Sequence, residues 1–138
     1  MILDATDLIL GRFATVVAKK ALLGEEVFIV NCEKVVVTGS KKDVLGKYKW
    51  YREVGGDALK GPFFPRRSDL VVKRTIRGML PHKQEKGKKA FKRIRCYYGV
   101  PKGLEGKKFE TIKEADVSNM QNLKYIYLNE ICKELGGK

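Results

Sequence analysis

Two short, wholly apolar runs, Val27-Phe28-Ile29-Val30 and Val35-Val36-Val37, constrain this chain more than any other feature. A run with no polar residue on either side of the pleat belongs to a strand covered on both faces, the pattern of parallel sheets packed by helices. The stretch before the first run, Gly11 to Leu23, is rich in Ala and Leu and ends at Gly24, a residue suited to the left-handed position that closes a helix. After the second run, Gly39-Ser40 opens another helix, with Ser40 and Asp43 spaced as a capping box. Met1 to Ala5 is short and apolar, and Lys124-Tyr125-Ile126-Tyr127-Leu128 has strand character. Asn129 is placed to cap a last short helix that stops at Gly136-Gly137. Strands and helices joined by short links predict an α/β sandwich around a small, mostly parallel four-stranded sheet.

The 138 residues make one domain's worth of chain, with no internal repeat, and the formal net charge is +13. That charge is unevenly placed. Residues 1–65 carry ten Lys/Arg and eight Asp/Glu, and residues 96–138 carry seven and six. Residues 66–95 carry Arg66, Arg67, Lys73, Arg74, Arg77, Lys83, Lys86, Lys88, Lys89, Lys92, Arg93 and Arg95 against only Asp69 and Glu85. Two nearly neutral flanks hold one strongly positive block, which reads as a basic helical insertion preceded by an ordered Gly/Pro/Phe-rich loop over 55–65.

At about 100° per residue, Lys73, Arg74 and Arg77 fall on one side of a helix, and Val71, Val72, Thr75, Ile76 and Met79 fall on the other. Leu70 is a misfit within the positive stripe. A second helix read from Lys88 places Lys88, Lys89, Lys92, Arg93 and Arg95 on one arc, with Ala90, Phe91, Ile94, Tyr97 and Tyr98 opposite. Pro81 ends the first helix, and Gly87 marks the restart. Gly78 has two readings: either RNA or a neighbouring backbone approaches too closely for a side chain, or the helix ends there in a left-handed conformation.

A solvated charged face would mix signs, and this one does not. A membrane-surface helix would expose aromatics beside the cations, whereas Phe91, Tyr97 and Tyr98 lie on the arc needed for the core. Nucleic acid remains, because arrayed Lys and Arg neutralise phosphates and release counterions. RNA is favoured over DNA, since no helix-turn-helix, zinc-finger or basic-zipper pattern is present and a broad positive surface suits folded RNA.

Other chemistries find little support. His82 is the sole histidine, and the three cysteines, Cys32, Cys96 and Cys132, are far apart in sequence. No metal site, disulfide framework or cofactor is expected, and the cysteines read as small buried residues of a reducing cytosol. No apolar run approaches the roughly 20 residues that span a bilayer, so no membrane partner is expected. His82 reads as a loop residue able to hydrogen-bond phosphate, and Asp4 and Glu33 as caps or partners of cations such as Arg12 and Lys34. The competing reading is a nucleotide- or phosphate-using α/β enzyme centred on Gly39-Ser40-Lys41, at a helix N-terminus. The P-loop spacing fails there, because Val44 stands where a second Gly followed by Lys is required. Lys41 and Lys42 remain able to touch an RNA phosphate.

Three strings, taken in order, carry a resemblance: Leu10-Gly11-Arg12-Phe13-Ala14, Val30-Asn31-Cys32-Glu33-Lys34-Val35-Val36-Val37-Thr38-Gly39, and Arg74-Thr75-Ile76-Arg77-Gly78-Met79-Leu80-Pro81-His82-Lys83. With Gly87-Lys88-Lys89-Ala90-Phe91 and Tyr98-Gly99-Val100-Pro101, they resemble the large-subunit ribosomal protein family called L-thirteen. Pro62-Phe63-Phe64-Pro65-Arg66 and the ending look archaeal in type, and Phe13 and Cys32 depart from the family's more usual Leu and Ala. The resemblance implies a three-layer α/β/α domain, no catalysis and no small-molecule substrate. It also implies a cytoplasmic structural role on large-subunit ribosomal RNA beside neighbouring large-subunit proteins, with a part in subunit assembly. By the same likeness Arg74, Arg77, Gly78, Pro81, His82 and Lys83 form the RNA-facing motif.

Overall fold

A computed structural model describes residues 1–137. In chain order the elements are β1 (Ile2–Asp4), α1 (Leu10–Leu22), β2 (Val27–Val30), β3 (Val36–Thr38), α2 (Lys41–Glu53), α3 (Ser68–Met79), α4 (Glu85–Lys92), β4 (Ile94–Cys96), β5 (Tyr125–Tyr127) and α5 (Leu128–Glu134). The fold is α/β, as the alternation predicts.

The sheet is mostly parallel, as expected, and differs from the expected four-stranded one in its strand count. β1, β2 and β4 form a three-stranded parallel sheet in that order, with Ile2 opposite Phe28 and Val27 opposite Ile94. β3 and β5 form a separate antiparallel pair, with Val36 opposite Tyr127 and Thr38 opposite Tyr125. The pair is tied to the rest through Val36, whose N–H donates to the Leu8 carbonyl at 2.9 Å. Coverage of the parallel sheet is uneven. Leu3, Val27, Ile29 and Ile94 are fully buried on one face, while the other carries half-buried Phe28 and exposed Arg95.

The helix ends follow local chemistry. Gly24 takes φ +106° just past α1, and Gly136 takes φ +77° just past α5. Ser40 caps α2 by accepting from the Asp43 N–H at 3.3 Å. The expectation that Asn129 caps the last helix is corrected: α5 begins at Leu128, its cap position is Tyr127, and no side chain closes it.

A larger correction falls at 94–98. α4 stops at Lys92, and Ile94-Arg95-Cys96 is a strand, not the last turn of a helix. Arg95 therefore does not share a helical face with Lys88 and Lys92. The physical reason is long-range: β2 has an unpaired edge, and this segment fills it, with Val27 N–H donating to Arg93 O at 3.0 Å and Tyr97 N–H to Ile29 O at 2.8 Å. Alternation of buried Ile94 with exposed Arg95 satisfies the two-residue period of a strand as well as it satisfies a helical arc.

α1 packs on α3 and α4, and α3 reaches β4 and α5. Buried side chains from all these elements, Phe13, Val17, Ile29, Val72, Ile76, Ile94 and Ile131 among them, form one cluster. α3 thus has its inner face fixed against the core, and this fixes which of its residues look outward.

Candidate nucleic-acid interface

Along α3 the expected two-faced helix is observed. Val71, Val72 and Ile76 are buried, Lys73 and Arg74 are half-buried, and Arg77 is exposed. Leu70 is 46% exposed, so the misfit of the positive stripe does lie among the cations. Met79 departs from its expected place inside: it is 41% exposed, lying 3.6 Å from the Thr15 hydroxyl. On α4, Ala90 is buried and Lys86, Lys88, Lys89 and Lys92 are exposed. Tyr98, expected on the core side of a longer helix, is 55% exposed once that helix ends early.

The two helices meet at a shallow depression of about 230 Å³ lined by Leu70, Lys73, Arg74 and Arg77 from α3 and Phe91 from α4. Lys73 Nζ sits 5.1 Å from the Phe91 ring centroid, so an α3 cation rests on an α4 aromatic. Arg74 lies 4.9 Å from the Phe64 ring centroid and donates to the Phe63 carbonyl at 3.2 Å. These contacts hold two long side chains by their aromatic neighbours and leave no carboxylate against them. Among the described residues, no ion-pair partner lies within 4.0 Å of Lys42, Arg66, Arg77, Lys83, Lys86, Lys88 or Lys92. A surface with that many unneutralised cations repels itself and attracts a polyanion.

Not every cation of the block is free. Arg67 is engaged by Asp69 through Nε–Oδ1 at 3.2 Å and Nη2–Oδ2 at 2.9 Å. Lys89 pairs with Glu85 at 2.7 Å. Arg93 turns inward and donates to the Ala21 carbonyl at 3.3 Å, at the C-terminal end of α1, where a cation also complements the helix dipole. Arg95 projects from β4 over the Phe28 ring, 5.7 Å from its centroid, on the outer face of the sheet. His82 is exposed in the turn between α3 and α4, with Nδ1 3.3 Å from the Leu80 carbonyl.

The turn itself behaves as its proline dictates. Leu80, directly before Pro81, is extended (φ −101°, ψ 148°), so α3 ends at Met79. Gly78 lies within α3, not beyond it, and its φ is not positive; this overturns the left-handed reading. A neighbouring backbone is overturned too, because nothing lies within 4 Å of where a β-carbon on Gly78 would sit.

Gly39-Ser40-Lys41 is not a phosphate cradle. Ser40 Oγ donates to Asp43 Oδ2 at 2.5 Å, placing a carboxylate at the mouth of the helix N-terminus, and Lys41 is paired with Glu130 at 2.9 Å. Asp4 and Glu33 act as local caps, without ion pairs to Arg12 or Lys34. Asp4 accepts from the Thr6 N–H, the Thr6 hydroxyl and Asn31, and Glu33 accepts from the Gly99 N–H. Cys32 and Cys96, distant in sequence, are adjacent in the fold; the neighbouring Cys96 thiol and burial push the Cys32 thiol's pKa up. No group of three or more metal-ligating side chains exists among the described residues, and no helix there is long and apolar enough to cross a membrane.

One cation escaped the sequence reading. Lys47, on α2, lines a cleft of about 400 Å³ that Arg74 and Gly78 of α3 also line. Nothing in its local sequence signals this, since α2 is joined to α3 only through the 55–65 loop.

A family model described as Ribosomal protein L13 matches residues 1–103. The large ribosomal subunit protein uL13 of Methanopyrus kandleri is 44% identical over 138 residues, spanning 98% of this chain and 86% of its own. The protein of the same name from Methanosarcina barkeri is 46% identical over 138 residues, spanning 99% and 98%. That of Methanocaldococcus jannaschii is 46% identical over 140 residues, again spanning 99% and 98%.

Proposed function

The chain belongs to the ribosomal protein L13 family, and from that premise we propose that it is a structural constituent of the large ribosomal subunit, binding large-subunit ribosomal RNA and supporting subunit assembly. One observation carries the RNA reading: the α3–α4 surface, where Arg77, Lys83, Lys86, Lys88 and Lys92 stand exposed without carboxylate partners. Lys73 and Arg74 extend that surface, held by Phe91 and Phe64, and Arg66 continues it before α3. The whole chain acts as one domain, with 66–95 as its main contact segment.

Within that segment the roles divide. Exposed lysines neutralise phosphates and fix the protein's register on the RNA, as cations without a bidentate partner do. Arg67 and Arg93 serve the fold first, through Asp69 and Ala21. Arg95 and the pair Lys41 and Lys42 lie apart from the α3–α4 face, so any phosphates they meet belong to a different part of the RNA. Neighbouring large-subunit proteins complete the surroundings, and the place of action is the cytoplasmic ribosome.

Filter binding of the full chain to a large-subunit rRNA transcript, across a salt series, tests the proposal. Affinity is expected to fall log-linearly, with about 0.7–0.9 log units per neutralised phosphate per decade of salt. Salt-independent binding, or failure of the native protein to co-sediment with large subunits, overturns it.

A further inference from the structure

We infer that the cleft between α1, α2 and α3 receives a single unpaired nucleotide of RNA, its phosphate held between Lys47 and Arg74. The inference rests on the ribosomal-RNA reading above and names a site within it. At about 400 Å³ the cleft falls within the range of about 300–1,000 Å³ typical of small-ligand sites. Its floor is apolar, with Tyr48 and Val71, and among its described lining residues there is no carboxylate. The rim carries the two cations. Arg74 lies over the Phe64 ring and Lys47 over the Tyr51 ring at 5.8 Å, and those two rings are stacked on each other with centroids 5.6 Å apart. The aromatic pair therefore holds both cations in place at one side of the opening. A flat, largely apolar body attached to an anion is the ligand such a cleft complements.

Two glycines on the rim point the same way. Gly11 stands in the first turn of α1 and Gly78 in the last turn of α3, and both line the cleft. Neither has a positive φ, and a β-carbon at either would meet nothing within 4 Å. Glycine is the poorest helix former after proline, so the fold gains nothing from it at these two places. What they keep open is the approach from outside the chain. The cleft lies between the three helices and β3, whose Val36, Val37 and Thr38 also line it, and a recess of this size suits one base splayed out of a strand, the common mode by which proteins read single-stranded RNA. An inserted side chain from another protein would also fill it, but the rim's two cations favour a phosphate-bearing guest.

The experiment uses the full chain and a large-subunit rRNA transcript of one of the archaeal relatives, with uridines replaced by 4-thiouridine. Gly78→Leu blocks the rim at an exposed helical position, and Lys47→Gln removes one cation. The wild type is expected to crosslink through the 47–51 stretch. Gly78→Leu is expected to melt at or above the wild-type temperature, to bind about tenfold or more weakly and to lose that crosslink. Lys47→Gln is expected to lower the salt slope by about one phosphate's worth. Wild-type affinity and crosslinks in both variants overturn the cleft while leaving the α3–α4 reading intact. A crosslink from this stretch to a ribosomal protein in intact subunits overturns it as well. Absence of any rRNA binding by the wild type overturns both readings. Should Gly78→Leu fail to fold, Lys47→Gln, at an exposed side chain, decides the question alone.

Discussion

Gly87 presses against the carbonyl of Pro81, so that a β-carbon at Gly87 would collide with that oxygen and lie 2.9 Å from the His82 nitrogen. Gly87 is inside α4 and is buried, and its φ is not positive. Glycine is needed there for close approach, not for an unusual backbone conformation. The contact clamps the Leu80–Lys83 turn to the start of α4 and so fixes the angle at which the two basic helices meet.

Gly87→Ala is therefore expected to destabilise the chain by about 1–3 kcal/mol, as forced overpacking does, measured by denaturant unfolding. Gly78→Ala, nine residues earlier in the same basic segment, is expected to do the opposite. It places a good helix former at an open helical position and should add about 0.5–1 kcal/mol, while weakening rRNA binding. Two glycine variants with the same sign of stability change would contradict these placements.

Core and contact separate cleanly along 88–94. Ile94→Ala removes a fully buried side chain at the start of β4 and should cost about 2–5 kcal/mol. Changing Lys88, Lys89 and Lys92 together to Gln should leave the melting temperature near wild type and make the salt dependence of rRNA binding shallower. Arg77→Ala should behave like the lysines. Arg74→Ala should also loosen the 63–64 loop that Arg74 stacks on and bonds, visible as faster proteolysis there.

Arg93→Ala tests whether a cation in the basic block is structural. Its hydrogen bond to the Ala21 carbonyl predicts a loss of about 1 kcal/mol of stability. The salt slope of rRNA binding should not change, because the guanidinium is turned into the protein. A reduced slope at wild-type stability would return Arg93 to the RNA-facing set.

Asp4 predicts an acid limb. Burial pushes its carboxyl up, but hydrogen bonds from Asn31 and Thr6 outweigh this and hold it below its ordinary value of 3.8. A carboxylate whose pKa is lower folded than unfolded contributes its full stabilisation above the unfolded value, and loses it as pH falls through the folded one. Stability should therefore decline below about pH 4, and Asp4→Asn should flatten that part of the curve. An unchanged acid limb in Asp4→Asn would assign the effect elsewhere.

Much of this molecule could be read from short stretches of sequence, because the forces involved are local. Gly24 ends α1, Ser40 caps α2, and Pro81 stops α3 through steric and hydrogen-bonding limits that span a few residues. The clustering of cations in 66–95 needs no structure at all, and the outward face of α3 follows from helical period alone. What lay beyond reach depends on partners distant in the chain. Ile94-Arg95-Cys96 fits helix and strand equally well, and only the open edge of β2 selects the strand. β3 pairs with β5 across nearly the whole intervening chain, and this pairing takes β3 out of the parallel sheet. Arg93 looks like any other cation until Ala21 is brought to it, and Lys47 joins Arg74 and Gly78 only when α2 folds beside α3. Caps, breaks and charge are properties of neighbours along the chain; edges, clefts and close approaches belong to neighbours in space, and folding alone makes those.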